Sequence, residues 1–216
     1  FAKALVGHIR GGMGQVVIVS EIFFSGISGA SLSDASAIGS IIFPTIKRSG
    51  YDPAKAVALI SAACAMGILI PPCLTMVVLG ALAGVSVSAL FVAGFIPGFL
   101  MALALMVSVY MQSRRGGLPP GEQKATHREV VQSLKGAFFP LLLPVIIFGG
   151  ILGGVFSPTE AAAVAVLYAL FVATVIYKEM SFKLLYTLLI DTAVTTGAIG
   201  LILGAASAFS AILSFG

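Results

Sequence analysis

Val16-Val17-Ile18-Val19-Ser20-Glu21-Ile22-Phe23-Phe24 runs into Ser25-Gly26-Ile27-Ser28-Gly29-Ala30-Ser31-Leu32-Ser33-Asp34, and a second apolar run follows from Ala35 to Ile46. All of it lies in residues 11–46, an interval of 36 residues without Lys or Arg. A membrane-spanning helix needs about 20 apolar residues, so this interval is too short for two crossings and a turn. Two arms of about a dozen residues each fit a re-entrant hairpin that enters and leaves on one side. Its boundaries are residues 16–46. The small polar tract between the arms is turn-forming. Non-helical backbone is tolerated at membrane depth only inside protein or beside a water-filled cavity. The tract is therefore expected to be irregular, enclosed by protein and facing a site.

The composition agrees with a bilayer setting. Hydrophobic residues make up 59%, charged residues 9%, and mean hydropathy is +1.12. Soluble domains carry about a quarter charged residues. The net charge of +4 is not a nucleic-acid signal, because Lys and Arg fall into separated clusters along the chain. These are Lys3 and Arg10; Lys47, Arg48 and Lys55; Arg114 to Lys135; Lys178 and Lys183. The intervals 56–113 and 136–177 each have room for an outward and a returning helix. Every basic cluster then lies on one face, and the positive-inside rule makes that face the cytoplasm.

The segments follow in order. Residues 1–15 read as a cytoplasmic entry segment broken by Gly11, Gly12 and Gly14. After the hairpin, Asp52 is placed to cap a helix beginning beside Pro53. The helix over 54–83 meets Gly67-Ile68-Leu69-Ile70-Pro71-Pro72-Cys73, where prolines remove backbone donors and clash with the preceding turn. A transmembrane helix over 89–112 precedes a cytoplasmic loop, 113–137, with room for an amphipathic surface segment. A transmembrane pair spans 138–177 around Ser157-Pro158-Thr159-Glu160. A further helix covers 184–216. The chain begins at Phe1 and ends inside an apolar run, so it is expected to be part of a longer protein. Cys64 and Cys73 read as buried thiols, with neither the number nor the spacing of a disulfide framework or zinc site. Gly11-Gly12-Met13-Gly14 is not a phosphate loop, as no Lys-Ser/Thr follows.

Three segments together resemble one family: Ile27-Ser28-Gly29-Ala30-Ser31-Leu32-Ser33-Asp34-Ala35 with Gly39; Gly67-Ile68-Leu69-Ile70-Pro71-Pro72; and Phe156-Ser157-Pro158-Thr159-Glu160-Ala161-Ala162. The chain resembles the large membrane subunit of a tripartite ATP-independent periplasmic (TRAP) transporter. The resemblance implies an all-α polytopic inner-membrane protein of bacteria or archaea. It would be built from inverted repeats, each with a re-entrant hairpin and a broken transmembrane helix, in an elevator arrangement. This chain would hold the first hairpin and broken helix, and residues 138–177 would open the second repeat. The resemblance also implies sodium-driven symport of an organic acid such as a C4-dicarboxylate or sialic acid. The partners would be a periplasmic solute-binding protein and a small membrane subunit, within membrane lipid, with no nucleic acid and no cofactor beyond the coupling ion. The sequence departs from the family pattern in having Ser28-Gly29-Ala30 in place of Ser-Gly-Ser, and Cys73 where Ser often follows the prolines.

The candidate ion- and substrate-binding residues at the hairpin tip are Ser25, Gly26, Ser28, Gly29, Ser31, Ser33 and Asp34. At the broken helix they are Gly67, Pro71, Pro72, Cys73 and Thr75. Unwound helix ends offer carbonyl and hydroxyl oxygens to a sodium ion, and half-helix N-termini attract an anion. The competing reading of the tip is close helix packing by small residues; that of the break is a simple proline kink. Asp34 reads as the N-cap of the second arm, a role compatible with a site. Glu21 is expected in the cytoplasmic third of the first arm, paired with Ser or backbone. Thr159 is expected to cap the helix after Pro158, with Glu160 in its first turn and open to a binding protein. Asp191 reads as an interfacial residue, and Thr195 and Thr196 as back-bonded helix threonines.

An intramembrane enzyme would need a nucleophile with a base, an aspartate pair or metal ligands at depth. Asp34 and Asp191 lack any supporting motif, and His8 and His127 lie outside the spans. A passive channel would also use broken helices, and a solitary dicarboxylate or citrate carrier would also carry hairpins. The Pro158-Thr159-Glu160-Ala161-Ala162-Ala163 segment favours the tripartite type over the solitary one.

Overall fold

The computed structural model describes residues 1–215. Among them every regular element is helical: α1 (Ala2–Val6), α2 (Gly12–Ser28), α3 (Ser31–Arg48), α4 (Pro53–Met66), α5 (Leu74–Ala83), α6 (Val87–Arg114), α7 (His127–Leu152), α8 (Pro158–Phe171) and α9 (Phe182–Phe215). A π-helical turn, Val172–Ile176, follows α8. Four stretches are long and apolar enough to cross a membrane: Val87–Arg114, His127–Leu152, Pro158–Ile176 and Phe182–Phe209. The protein is thus an all-α polytopic membrane protein. Its residues group into two compact units, Phe1–Val166 and Leu167 onward.

In the first unit α2 and α3 form a hairpin that packs on α4, while α6 packs on α2, α4 and α5. The shared core is apolar: Val17, Ile18, Ile46, Ala56, Ala63 and Met66 are all buried in it. At the base of the hairpin the buried Tyr51 hydroxyl donates to Gly11 O at 2.5 Å and accepts from Gly14 N at 3.1 Å. Burial pushes this phenol above its ordinary pKa, so it stays a neutral donor. Gln15 Nε2 adds a bond to Met106 O at 2.9 Å, tying α2 to α6.

The helix ends follow local chemistry. Asp52 accepts from Lys55 N at 3.2 Å beside Pro53, as its position before the proline leads one to expect. Ser86 caps α6 through Ala89 N. Thr126 and Glu129 form a capping box at α7.

Several expectations need correction. The tract Ser25–Asp34 is not irregular: Ser25 to Ser28 complete α2, and α3 starts at Ser31. Only Gly29 and Ala30 form the turn, because Gly29 alone in the tract adopts the left-handed angle (φ 63°) that ends a helix. The arms, of 17 and 18 residues, are correspondingly longer than a dozen. Gly12 and Gly14 lie within α2, and only Gly11, at φ 87°, breaks the chain before it. Helix α7 begins within the expected loop, at His127, and continues without a break to Leu152. Ser157, not Thr159, caps α8: it accepts from Glu160 N at 3.3 Å, and Glu160 Oε2 accepts from Ser157 N at 2.8 Å.

Candidate functional site

The interruption between α4 and α5 is the starting point. In a continuous helix Gly67 O would accept from the N–H of residue 71, which is proline and has none. The orphaned carbonyl is met from outside: Ser25 Oγ of α2 donates to Gly67 O at 2.8 Å, fully buried, beside a longer turn bond from Ile70 N at 3.3 Å. The far end of the break is also held by the hairpin. Leu74 N, at the head of α5, donates to Gly29 O at 3.0 Å. Approach there is close, since a Cβ on Gly29 would lie 2.7 Å from Pro72 O. The hairpin tip and the helix break are therefore one structure, joined at both ends of the interruption.

Cys73 is the N-cap of α5. Its buried sulfur accepts from Met76 N at 3.4 Å, a weak version of the serine cap. Pro71 is buried and joined to the half-buried Pro72 through a cis peptide. Thr75 lies in the first turn of α5 and is exposed.

On the hairpin, Ser28 Oγ donates to Asp34 Oδ1, lies 3.0 Å from Ser33 Oγ and accepts from Ala30 N at 3.3 Å. Ser33 is exposed and donates back to Ala30 O at 2.7 Å. Ser31 is half-buried at the head of α3, and Gly26 is buried against Pro144 of α7. Asp34 is not the N-cap of α3: Ala30 holds that position, and Asp34 N donates to Ala30 O at 3.1 Å, one turn into the helix. Its carboxylate points inward instead and is fully buried.

Glu21 was the residue least legible in the sequence. Its hydrogen-bond partner is neither serine nor backbone. It is fully buried, and Cys64 Sγ of α4 donates to its Oε2 at 3.6 Å. Its Oε1 faces the break, 2.8 Å from where a Cβ on Gly67 would stand. The signal was present in the spacing: Glu21, Ser25 and Ser28 recur at helical intervals and share one face of α2.

The arrangement brings Ser25, Ser28, Gly29, Asp34, Gly67, Pro72 and Cys73 together and leaves Ser33 and Thr75 at its edge. Beside the tip lies a cavity of about 320 Å³ whose wall includes Ser28, Gly29, Pro72, Cys73, Phe91 and Ile151. Among the described residues no three His, Cys, Asp or Glu side chains gather as a metal-ligand set. The donors on offer are hydroxyl, carbonyl and carboxylate oxygens, the type that suits a hard cation.

Fold and site define a class: a polytopic α-helical membrane protein whose helical hairpin docks on an interrupted helix. The chain belongs to the family described as the tripartite ATP-independent periplasmic transporter, DctM component, whose family model matches residues 1–216. It is 42% identical to the sialic acid TRAP transporter large permease protein SiaM of Vibrio cholerae, over 99% of this chain and 50% of that protein. It is 40% identical to the 2,3-diketo-L-gulonate TRAP transporter large permease protein YiaN of Escherichia coli, over 90% of this chain and 46% of that one. The C4-dicarboxylate TRAP transporter large permease protein DctM of Pseudomonas aeruginosa is also 40% identical, over 99% and 50%. The chain spans about half the length of these relatives. They are named as transporter permeases rather than enzymes.

Proposed function

We propose that this chain forms part of a sodium-gradient-driven importer that takes an organic acid from a periplasmic solute-binding protein. It would act with a small membrane subunit in the bacterial or archaeal cytoplasmic membrane, its Lys/Arg-rich loops on the cytoplasmic side. The observation that carries the reading is the double attachment of hairpin to break, Ser25 to Gly67 O and Leu74 N to Gly29 O. A tip bonded at both ends of an interruption holds unwound backbone at one fixed place. There Ser28, Gly29, Pro72 and Cys73 can offer oxygens, and the head of α5 its N-terminal dipole, to an ion and a carboxylate. Such a unit can move as one body between two sides, which is what alternating access requires.

The relatives' names support a carboxylate substrate: sialic acid, diketogulonate and a C4-dicarboxylate share an acid group and little else. Since identity is 40–42% to all three, it selects none of them.

The test is organic-acid uptake by the full-length protein in proteoliposomes, with its small subunit and binding protein and an imposed inward sodium gradient. Uptake that needs both sodium and binding protein, and that drops in the Ser28→Ala, Ser31→Ala double variant, is the expected result. Uptake that ignores the binding protein would replace this reading with a solitary carrier; uptake that also ignores sodium would make it a channel.

A further inference from the structure

Helices α4 and α6 leave a groove of about 260 Å³ between them, beginning where Lys55 stands. One wall is a stripe of α4, Lys55, Leu59 and Ala62; the other is a stripe of α6, Leu105, Ser108 and Gln112. Both stripes follow helical spacing, so each lies on one face of its helix. The two helices run in opposite directions. A Cβ on Gly117, just past α6, would lie 3.3 Å from Gln112 O and 3.9 Å from Lys55 Nζ, whereas one on Gly98 would lie 3.3 Å from Leu69 O. Lys55 is therefore level with Gln112, and Ala62 with Leu105. The walls pass from polar to apolar over about 10 Å, two turns of helix. Gly14 of α2 backs the groove where Tyr51, Leu59 and Val109 converge: a Cβ there would lie 2.5 Å from the Tyr51 hydroxyl and 3.0 Å from Leu59 Cδ2.

The polar end holds a fixed cation. Lys55 Nζ donates to Gly117 O at 2.8 Å, which pins the ammonium at the mouth and leaves two of its three hydrogens to give. Gln112 Nε2 donates to Ser108 Oγ at 3.2 Å, so the Ser108 hydrogen can be given to a ligand one turn deeper. Further positive charge stands at the same helix ends: Lys47 and Arg48 in the last turn of α3, Arg114 in that of α6, and Arg115 after it. Among the described residues none of these cations, Lys55 included, forms an ion pair; the Lys3–Glu122 pair lies elsewhere. The groove is lined by no carboxylate. Asp52, the acid nearest in sequence to Lys55, is engaged in capping α4.

A cation without a counter-charge therefore stands over an apolar slot, at the end of a helix long enough to span the bilayer. Its complement is a molecule with an anionic head and an apolar tail. We propose that the α4–α6 groove binds one anionic phospholipid. The phosphate lies against Lys55, an ester carbonyl accepts from Ser108, and the start of one acyl chain lies along Leu59, Ala62 and Leu105. The volume takes that part of the lipid, and the rest stays in the bilayer. Other occupants fit less well. A water-soluble anion leaves the apolar walls uncovered, and a zwitterionic lipid brings its own cation beside Lys55. A protein helix, about 10–12 Å across, cannot enter a slot whose mouth the Lys55–Gly117 bond bridges. The lipid would link α4, the first half of the broken helix, to α6. The site needs only a bilayer and does not rest on the transport reading.

The test is native mass spectrometry of the purified full-length protein titrated with phosphatidylglycerol, with phosphatidylcholine, and with phosphatidylglycerol in the presence of inorganic phosphate. Wild type is compared with Lys55→Gln, Lys55→Arg, Ala62→Phe and, as a control outside the groove, Lys183→Gln. The expected result is a phosphatidylglycerol adduct that forms in preference to phosphatidylcholine. Its affinity should fall about tenfold in Lys55→Gln, through loss of a charge-assisted bond. It should persist in Lys55→Arg and Lys183→Gln, and be lost in Ala62→Phe, which fills the apolar end and keeps the cation. Equal binding of the two lipids, or an equal loss in Lys183→Gln, would overturn the site in favour of general attraction to the basic surface. Displacement by inorganic phosphate at matched concentration would make it a site for a soluble anion. Absence of the adduct, with residues 55–62 and 105–112 protected from hydrogen exchange in lipid-free protein, would show the groove covered by the remainder of the chain. Absence without that protection would equally reject the proposal. Should Ala62→Phe fail to fold, the exposed Lys55 variants still decide.

Discussion

The hairpin with its broken helix and the long helices solve the membrane problem in opposite ways. In α2 and α3 the buried set includes Gln15, Glu21, Ser25 and Asp34, each at most 1% exposed. The apolar windows of α6 and α7 are 22% buried within the chain, and that of α9 is 0%. Their exposed side chains are Ile96, Phe99, Val145, Leu189, Leu201 and similar residues. Along their apolar windows α6 and α7 meet their surroundings mostly with hydrocarbon, as lipid demands, whereas α9 also exposes Asp191, Thr192, Thr195 and Thr196. The short elements carry the polar groups because they can enclose them in one another. The lesson is a division of labour between the hairpin and the pair α6 and α7: the buried polar groups are concentrated in α2 and α3, where protein surrounds them.

Substitutions can break that division or measure it. The largest effect is expected for Gly29→Val. The left-handed angle costs about 1–2 kcal/mol for a residue with a Cβ, and displacing the tip from Pro72 O adds about 1–3 kcal/mol of overpacking. Uptake in proteoliposomes should fall roughly tenfold or more. A variant with wild-type uptake would show that the tip need not touch the break.

Next comes Ile96→Asp, which puts a carboxylate in place of a side chain of α6 that is 71% exposed. A charge at the centre of a spanning helix costs about 2.5–3.5 kcal/mol on insertion, so the amount of membrane-inserted protein should drop several-fold. Normal insertion would mean that this face looks onto water.

Smaller effects measure the seams inside the hairpin unit. Ser25→Ala leaves Gly67 O without its side-chain donor and should lower stability by about 1 kcal/mol, read as a fall in Tm of the purified full-length protein. Tyr51→Phe removes the bridge between Gly11 and Gly14 and should cost a similar amount, about 1 kcal/mol, with uptake little changed because it lies far from the tip. Least of all is Ser40→Ala. Its exposed hydroxyl only bonds back to Ala37 O, and a change within about 0.5 kcal/mol is expected. Equal Tm shifts for Ser25→Ala and Ser40→Ala would remove the distinction between buried and exposed polarity.

Much of this was legible in the order of residues. The long apolar intervals between the Lys and Arg clusters implied membrane-spanning helices, and among the described residues four helices are long and apolar enough to cross a membrane. Gly67 with Pro71 and Pro72 implied an interruption, because proline lacks the donor a helix needs, and α4 and α5 stop on either side of it. Asp52 declared its cap by standing before Pro53. The tip is tighter than its residue pattern implies. A row of Ser, Gly and Asp is a turn signal in water, but here Ser25 and Ser28 lie in α2, Ser25 bonding across to Gly67 O, and only Gly29 takes the left-handed angle. Asp34 departs from its capping pattern because capping is a local preference, whereas its burial against Ser28 depends on the packed hairpin.

Local chemistry was thus enough for composition class, helix boundaries set by proline and glycine, and the presence of a hairpin. Each depends on the backbone's own donors and on neighbours a few residues away. Which side chains meet was decided by packing. Ser25 finds Gly67 across 42 residues, Cys64 finds Glu21 across 43, and Glu21 finds Asp34 from the other arm. Nothing in a one-dimensional pattern records such distances. They arise when apolar faces close over a polar interior that has nowhere else to find its partners.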